Sequence, residues 1–233
     1  MLRLVIVSLQ EQDVGAWTIV NYLTAYGRSR YLQALLNSLY LGTTTALLSA
    51  IFGIPLAWAL SRTDMPGKGL VWIVVLGAFI VPPYLGAIGW ILLAGPNSGW
   101  INQFWSLLFG SNATLMNIYS FGGLALIISL NSFPFIFLFT KAALDLVSSE
   151  MEDAANILGA GTWRTTVKVT LPLVWPAIIA GIIIVFLETI ALFGAPALIA
   201  IPARFQVVTT QLWQFFEFPI RVEVAAAYAM PLL

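Results

Sequence analysis

The stretch GLVWIVVLGAFIVPPYLGAIGWILLA, residues 69–94, holds no charged side chain and is interrupted only by the pair Pro82-Pro83. Read outward, the charge-free run extends to Thr140, 72 residues in all, and a second one covers Tyr31–Ser61. A helix needs about 20 apolar residues to cross the hydrocarbon of a bilayer, so both runs exceed what a soluble core helix requires. A membrane β-barrel would instead show segments of about 10 residues with alternating polarity, and none occurs. The composition agrees: 60% of the 233 residues are apolar and 9% are charged, against about 25% charged in soluble domains. The chain reads as an all-α polytopic membrane protein, a helical bundle in a lipid bilayer.

Four complete spans are expected, over Ala34–Leu60, Leu70–Leu93, Phe121–Leu144 and Leu173–Ala200. A fifth starts near Val224 and is cut off at Leu233. A helix that stops inside the membrane leaves backbone groups unpaired in lipid, so the sequence reads as a piece truncated within its last span. Residues 1–33 form an extracytoplasmic or interfacial segment in this division, and residues 34–233 form the membrane domain. Pro55, Pro82-Pro83, Pro134 and Pro196 punctuate the spans, each removing a helix hydrogen bond. Most suit helix ends or kinks. Pro82 and Pro83 are the candidates for a break that lines a pathway, since bare backbone is tolerated at membrane depth only beside neighbouring helices or a wet cavity.

Small residues recur at four-residue spacing in the first span (Gly42, Ala46, Ala50, with Ser49, Gly53 and Ala57 beside them) and again at Ala177 and Gly181. Such stripes let helix backbones approach closely in a bundle. Between the second and third spans, Gly95–Ser120 is uncharged and rich in Gly, Asn, Ser and Trp, which suits an interfacial loop or a short re-entrant helix with its aromatics at headgroup depth.

The chain has no cysteine and no histidine, so zinc sites, haem ligation by His or Cys and His-based acid–base catalysis have no residues to draw on. No catalytic, cofactor-binding or metal-ligating set is identified, and the chain does not read as an enzyme. Ten basic and ten acidic residues balance, and nothing points to nucleic acid. Arg62 and Lys68 lie in the loop after the first span, and Lys141, Arg164 and Lys168 follow the third; the loop between them has no Lys or Arg. The positive-inside rule places the two basic loops in the cytoplasm, which leaves Arg3, Arg28, Arg30, Arg204 and Arg221 outside.

The second basic loop contains a charged, helix-forming island. Ser149-Glu150-Met151-Glu152 has the spacing of a capping box, and its acids suit the positive end of a helix dipole. Met151, Ala154, Ala155 and Leu158 then fall on one narrow apolar stripe. Gly159 and Gly161 are placed to end the helix. A second short helix starts at Thr162, with Leu171-Pro172 expected to stop it before the fourth span. The stripe suits either packing against the chain's own spans or a soluble partner. Glu188 is the one acid inside a span. Ionised at mid-membrane it would cost about 2.5–3.5 kcal/mol, so it is expected to face the bundle or a wet cavity, with Asn131 or Ser132 as partner.

The run Asp153-Ala154-Ala155, three residues, Gly159, nine residues, Val169, Thr170, Leu171-Pro172 resembles the EAA signature of binding-protein-dependent ABC importer permeases. That signature has glutamate and isoleucine where Asp153 and Val169 stand; the spacing agrees throughout. Asn37-Ser38-Leu39, Gly53-Ile54-Pro55-Leu56-Ala57, Pro96-Asn97-Ser98-Gly99 and Phe193-Gly194-Ala195-Pro196 are similar to segments of the ferric-iron-type permeases, whose chains commonly fuse two permease halves. The likeness corresponds to a truncated first half.

The resemblance implies a type I transmembrane bundle in the bacterial inner membrane. It implies a cytoplasmic ABC ATPase dimer seated on the island through Glu152, Asp153, Ala154, Ala155, Gly159, Val169, Leu171 and Pro172. It also implies an extracytoplasmic substrate-binding protein and a second permease half, fused or separate. The chain carries no Gly-x-x-x-x-Gly-Lys-Ser/Thr sequence, so ATP would be bound by the partner. Ferric iron is the expected cargo, with thiamine, polyamines and aminophosphonates as alternatives. The competing class, an ion-gradient-driven secondary transporter, predicts several intramembrane charges and paired broken helices; Glu188 stands alone.

Overall fold

The computed structural model describes residues 2–11, 16–110 and 115–232, without the side chains of Ser149 and Asn156. In chain order the helices are α1 (Leu2–Ser8), α2 (Val20–Gly27), α3 (Ser29–Arg62), α4 (Lys68–Ile80), α5 (Pro83–Ala94), α6 (Trp100–Phe109) and α7 (Phe121–Leu146). They continue as α8 (Ser149–Ile157), α9 (Thr162–Thr165), α10 (Leu171–Ala191), α11 (Gly194–Ile199), α12 (Val208–Gln214) and α13 (Val222–Ala229). A π-helical turn over Thr166–Thr170 joins α9 to α10. Among the described residues, three continuous helices are long and apolar enough to cross a membrane: Ser29–Arg62, Phe121–Leu146 and Thr162–Ala191. The pair α4 and α5, broken at Val81-Pro82, makes a fourth if counted as one span.

Two compact units are distinguished. The first comprises Thr43–Pro83 and Ala125–Glu188. Its core joins Ala57 and Leu60 of α3, Val75 of α4, Phe137 and Leu144 of α7, and Val174 and Ile178 of α10. Trp72 meets Phe137 edge-on with ring centroids 5.5 Å apart. In lipid there is no apolar driving force between helices, so close packing has to come from small residues. Gly53 and Gly181 show this directly. A Cβ on Gly53 would lie 3.0 Å from the Phe133 carbonyl oxygen and the Phe137 nitrogen, and one on Gly181 would lie 3.0 Å from the Ile136 Cα. The backbone of α7 is thus touched by α3 and by α10 where each carries a glycine. Leu47, Ile51, Leu70, Ile73, Ile183 and Leu187 turn outward and are exposed, as lipid-facing positions are.

The break at Pro82 has its own remedy. Proline has no N–H to offer the carbonyl four residues back, here Ala78. Asn131 of α7 supplies the missing donor: its Nδ2 lies 3.2 Å from the Ala78 oxygen and 2.8 Å from the Val81 oxygen. The expected pairing of Asn131 with Glu188 is therefore replaced, because the carbonyls freed by the proline hold that amide.

The other unit comprises Met1–Gly42, Tyr84–Leu124 and Thr189–Leu233. Its core gathers Ala25, Tyr31, Val208, Phe215, Val224, Ala225, Ala227 and Tyr228. The Tyr228 hydroxyl donates to the Tyr31 carbonyl at 2.7 Å and the Tyr26 hydroxyl to the Ala227 carbonyl at 3.1 Å. The start of α3 is fastened to the segment before α12: Asn37 Nδ2 donates to the Gln206 carbonyl, and Ser38 Oγ accepts from the Val208 N–H, both at 2.8 Å. Within the uncharged loop, α6 presents Trp100, Phe104, Leu107 and Leu108 outward, the form expected of an interfacial helix. Buried Asn102 holds the loop through the Gly95 and Met116 carbonyls at 2.9 and 2.8 Å.

The first span starts at Ser29 rather than Ala34, and the second is divided into α4 and α5; two further boundaries move. Leu171-Pro172 does not stop the second island helix, because α9, the π turn and α10 run on as one 30-residue helix. The Leu171 N–H reaches back five residues to the Thr166 carbonyl. Such a widened turn accommodates a ring that would otherwise press on the carbonyl of Lys168, four residues before Pro172. The fourth span also ends at Ala191 rather than Ala200, and α11, with Pro196 in its first turn, is a separate short helix.

Candidate coupling site

The island folds as helix, turn and helix, and Gly159 makes the turn. Its φ is +82°, a left-handed conformation that glycine adopts without a Cβ penalty. The Ala160 N–H donates to the Ala155 carbonyl at 3.0 Å and the Leu158 N–H to the Ala154 carbonyl at 3.2 Å. The first is the six-to-one bond of a Schellman motif, with glycine just past the helix end. Gly161 sits in extended conformation as the N-cap of α9, starting the second helix rather than ending the first. The helix α8 begins at Ser149, the expected capping position, and so one residue earlier than a Ser149 cap implies; the Ser149 half of the capping box lies outside the described side chains.

Of the apolar stripe, Met151, Ala154 and Leu158 are exposed and Ala155 is half-buried, and apolar neighbours are exposed beside it. Ile157 is 86% exposed, Leu158 87% and Trp163 80%. Met151, Asp153 and Ala154 are exposed with them, as are Arg164 and Lys168 on the second helix. Ala155, Val169 and Leu171 are half-buried, and Pro172 is exposed. The candidate residues therefore divide into an outward patch (Asp153, Ala154, Gly159, Pro172) and a set turned toward the protein.

Glu152 belongs to the second set. Its Oε1 accepts from Arg62 Nε at 3.0 Å and from the Thr170 hydroxyl at 2.8 Å. Arg62 also donates through one terminal nitrogen to the carbonyls of Leu144 and Val147, at 2.9 and 3.2 Å. One guanidinium thus ends α3, caps the C-terminal carbonyls of α7, where a cation also suits the helix dipole, and ties down α8. Beside it, the Ser61 hydroxyl donates to Asp145 at 2.9 Å, and Asp145 pairs with Lys141 one turn back. Arg62 and Thr170 are functional candidates that motif spacing alone misses. The available signal was positional: a lone arginine closing a span next to an acid-bearing loop.

Glu188 is half-buried on α10; its Oε2 has no hydrogen-bond partner among the described residues, and the Ser132 hydroxyl lies beside it. Of the two partners expected for it, only Ser132 is adjacent. Pro82 and Pro83 form the α4–α5 break described above.

A multi-span helical bundle that displays a helix–turn–helix with EAA spacing defines a transport permease of the ABC importer type. The comparisons bear this out. The family model described as "Binding-protein-dependent transport system inner membrane component" matches residues 23–233, and the chain belongs to that family. It is a multi-pass inner-membrane permease subunit and not an enzyme. The molybdenum transport system permease protein ModB of Escherichia coli (strain K12) is 32% identical over 190 residues, covering 80% of each chain. The sulfate transport system permease protein CysW of Synechococcus elongatus is 29% identical over 168 residues, 72% of this chain and 57% of that one. A putative ferric transport system permease of Haemophilus influenzae is 27% identical over 200 residues, but those cover only 31% of its length. The ferric-iron resemblance therefore yields to a stronger one with the molybdenum permeases. The crystal structure of a bacterial ABC transporter importing the acidic polysaccharide alginate superposes with a TM-score of 0.72 over 98% of this chain and 82% of that one, at 16% identity, which establishes the fold.

Proposed function

We propose that this chain is the membrane-spanning permease of an ATP-driven importer whose cargo is an oxyanion of the molybdate–sulfate kind, with the ATPase seated on residues 150–172. The observation that carries the coupling role is the exposed apolar and charged surface around the Gly159 turn, at the spacing of the EAA signature. A large apolar patch left open beside a tightly tethered acid is what a partner surface requires, and the membrane offers it no lipid at loop level. In this reading Asp153, Ala154 and the rim around Gly159 meet the ATPase, while Glu152 holds the helix in place for it. ATP is bound by that partner, and an extracytoplasmic binding protein delivers the cargo to the opposite face.

The cargo assignment draws on the molybdenum and sulfate relatives, which align over more of their own length than the ferric one does. The 190 residues aligned to the E. coli permease make up 80% of that protein, which leaves no room there for a second permease half. In this reading the partner half is a separate permease chain. Residues 34–233 form the transport domain, with Glu188 and the Pro82-Pro83 break in its pathway. The test is co-purification with the ATPase encoded alongside, followed by molybdate uptake in proteoliposomes containing the binding protein. Gly159→Asp, which sets an added negative charge on the docking surface, is expected to weaken both ATPase retention and uptake; a permease that never retains an ATPase, or transports unchanged with Asp at 159, refutes the coupling assignment.

A further inference from the structure

We infer that the cavity between the first turns of α3 and the segment after α11 is an oxyanion-receiving site, in which Arg30 and Arg204 supply the charge. The cavity has a volume of about 710 Å³ and is lined by Arg30, Gln33, Asn37, Arg204, Phe205 and Gln206, among others. Among the described residues, no carboxylate lines it. The two ion pairs among the described residues, Arg62–Glu152 and Lys141–Asp145, lie elsewhere; both arginines are exposed, and neither is in an ion pair among the described residues. Glu217 lines only the neighbouring cavity, which shares Arg30.

The remaining hydrogen-bonding capacity points the same way. Arg30 spends one terminal nitrogen on Gln214 at 2.9 Å and keeps its other donors. Gln33 donates to Asn37 at 3.1 Å, and Asn37 donates to the Gln206 carbonyl at 2.8 Å, which fixes the cavity wall. Arg204 is held at φ +61°, a conformation that costs a non-glycine residue free energy and tends to be retained at sites of function. Guanidinium forks match the oxygens of a tetrahedral dianion, and two of them in one cavity repel a cation such as ferric iron.

Position supports the same role. This is the end of α3 opposite Arg62, and the charge asymmetry of the loops puts it outside the cytoplasm, where cargo arrives. A lipid phosphate shares this chemistry. The proposal commits to a dissolved oxyanion released by the binding protein, and rests on the oxyanion cargo proposed above.

The test uses the intact permease–ATPase complex in nanodiscs and equilibrium dialysis with radiolabelled molybdate, with uptake by the same complex and its binding protein as a second arm. Arg204→Asn removes the charge while tolerating the left-handed backbone, and Arg30→Gln removes the other. Each is expected to weaken molybdate binding about tenfold or more, the order expected for a charge-assisted contact, with Arg204→Lys recovering part of the loss and unlabelled sulfate competing. Binding indifferent to both substitutions overturns the site. Displacement of molybdate when phosphatidylglycerol replaces phosphatidylcholine assigns the cavity to lipid and also overturns it. Arginine-dependent binding without oxyanion uptake by the wild type keeps the site and refutes the cargo, whereas uptake untouched by either substitution keeps the cargo and refutes the site.

Discussion

Replacing Gly159 with alanine isolates one term in the coupling surface. A Cβ at 159 meets no heavy atom within 4 Å, and φ is +82°, so the substitution adds strain and no clash. A left-handed L-residue costs roughly 1–2 kcal/mol. If the ATPase recognises α8 and α9 only when the Schellman turn is closed, that strain lowers the population of the competent surface. At 1.4 kcal/mol per factor of ten, the permease should lose about five- to thirtyfold in affinity for its ATPase. Titration of labelled ATPase against the permease in nanodiscs measures this directly. Gly159→Asn should lose less, because asparagine tolerates the left-handed region. Gly161→Ser should be near neutral, since that N-cap is extended and serine is at home there. Equal affinities for wild type and Gly159→Ala, or a larger loss at Gly161→Ser, would refute the reasoning.

Arg62→Ala removes the donor set shared by Glu152 and the carbonyls of Leu144 and Val147; a loss of about 1–3 kcal/mol should appear as reduced uptake, and a double-mutant cycle with Glu152→Gln should be clearly non-additive. Arg62→Lys should recover little, because a single ammonium cannot span the same acceptors. Asn131→Leu should lower the thermal midpoint of the detergent-solubilised protein, at a cost of about 1–3 kcal/mol per abandoned carbonyl, while Asn131→Asp should be worse because it turns an acceptor toward two acceptors. Gly181→Val should destabilise more than Gly181→Ala, since even one Cβ lies 3.0 Å from the Ile136 backbone; equal midpoints for the two would show that α7 and α10 separate freely.

The spans were legible because the bilayer imposes a length and forbids charge, and both constraints act on sequence without reference to neighbours. The island was legible for a different reason: a left-handed turn demands glycine, so Gly159 announces its own backbone. What failed to show were partners fixed by packing. Asn131 and Ser132 look equivalent in sequence, yet only the helix face decides that one serves the Pro82 break and the other lies beside Glu188. Leu171-Pro172 looked like a stop because proline usually ends a helix; a π turn, which no local pattern signals, absorbs it. Arg30 and Arg204 are 174 positions apart and become one cavity wall only through the fold.

The π turn also bears on how force is delivered. Had Leu171-Pro172 ended a short surface helix, a push on Trp163 would have been dissipated in a flexible joint. Instead Thr162–Ala191 is continuous, so in the proposed coupling reading a displacement of the island would reach α10 without a flexible joint, and α10 carries Gly181 against Ile136 and Glu188 beside Ser132. The acid Glu152 ties this helix, through Thr170 in the π turn, to Arg62 at the end of α3 and to the carbonyls at the end of α7. Three spans are thereby joined at one end by one guanidinium and one carboxylate. A π turn is a local widening of the α-helical ladder that often marks functional sites, so Thr166–Thr170 is the position in this helix to test for a change of register. Deleting one residue from the turn should lock the helix in α register: ATPase binding at the intact Gly159 surface would persist while ATP-driven uptake was lost, and retention of full uptake would show that the turn is passive.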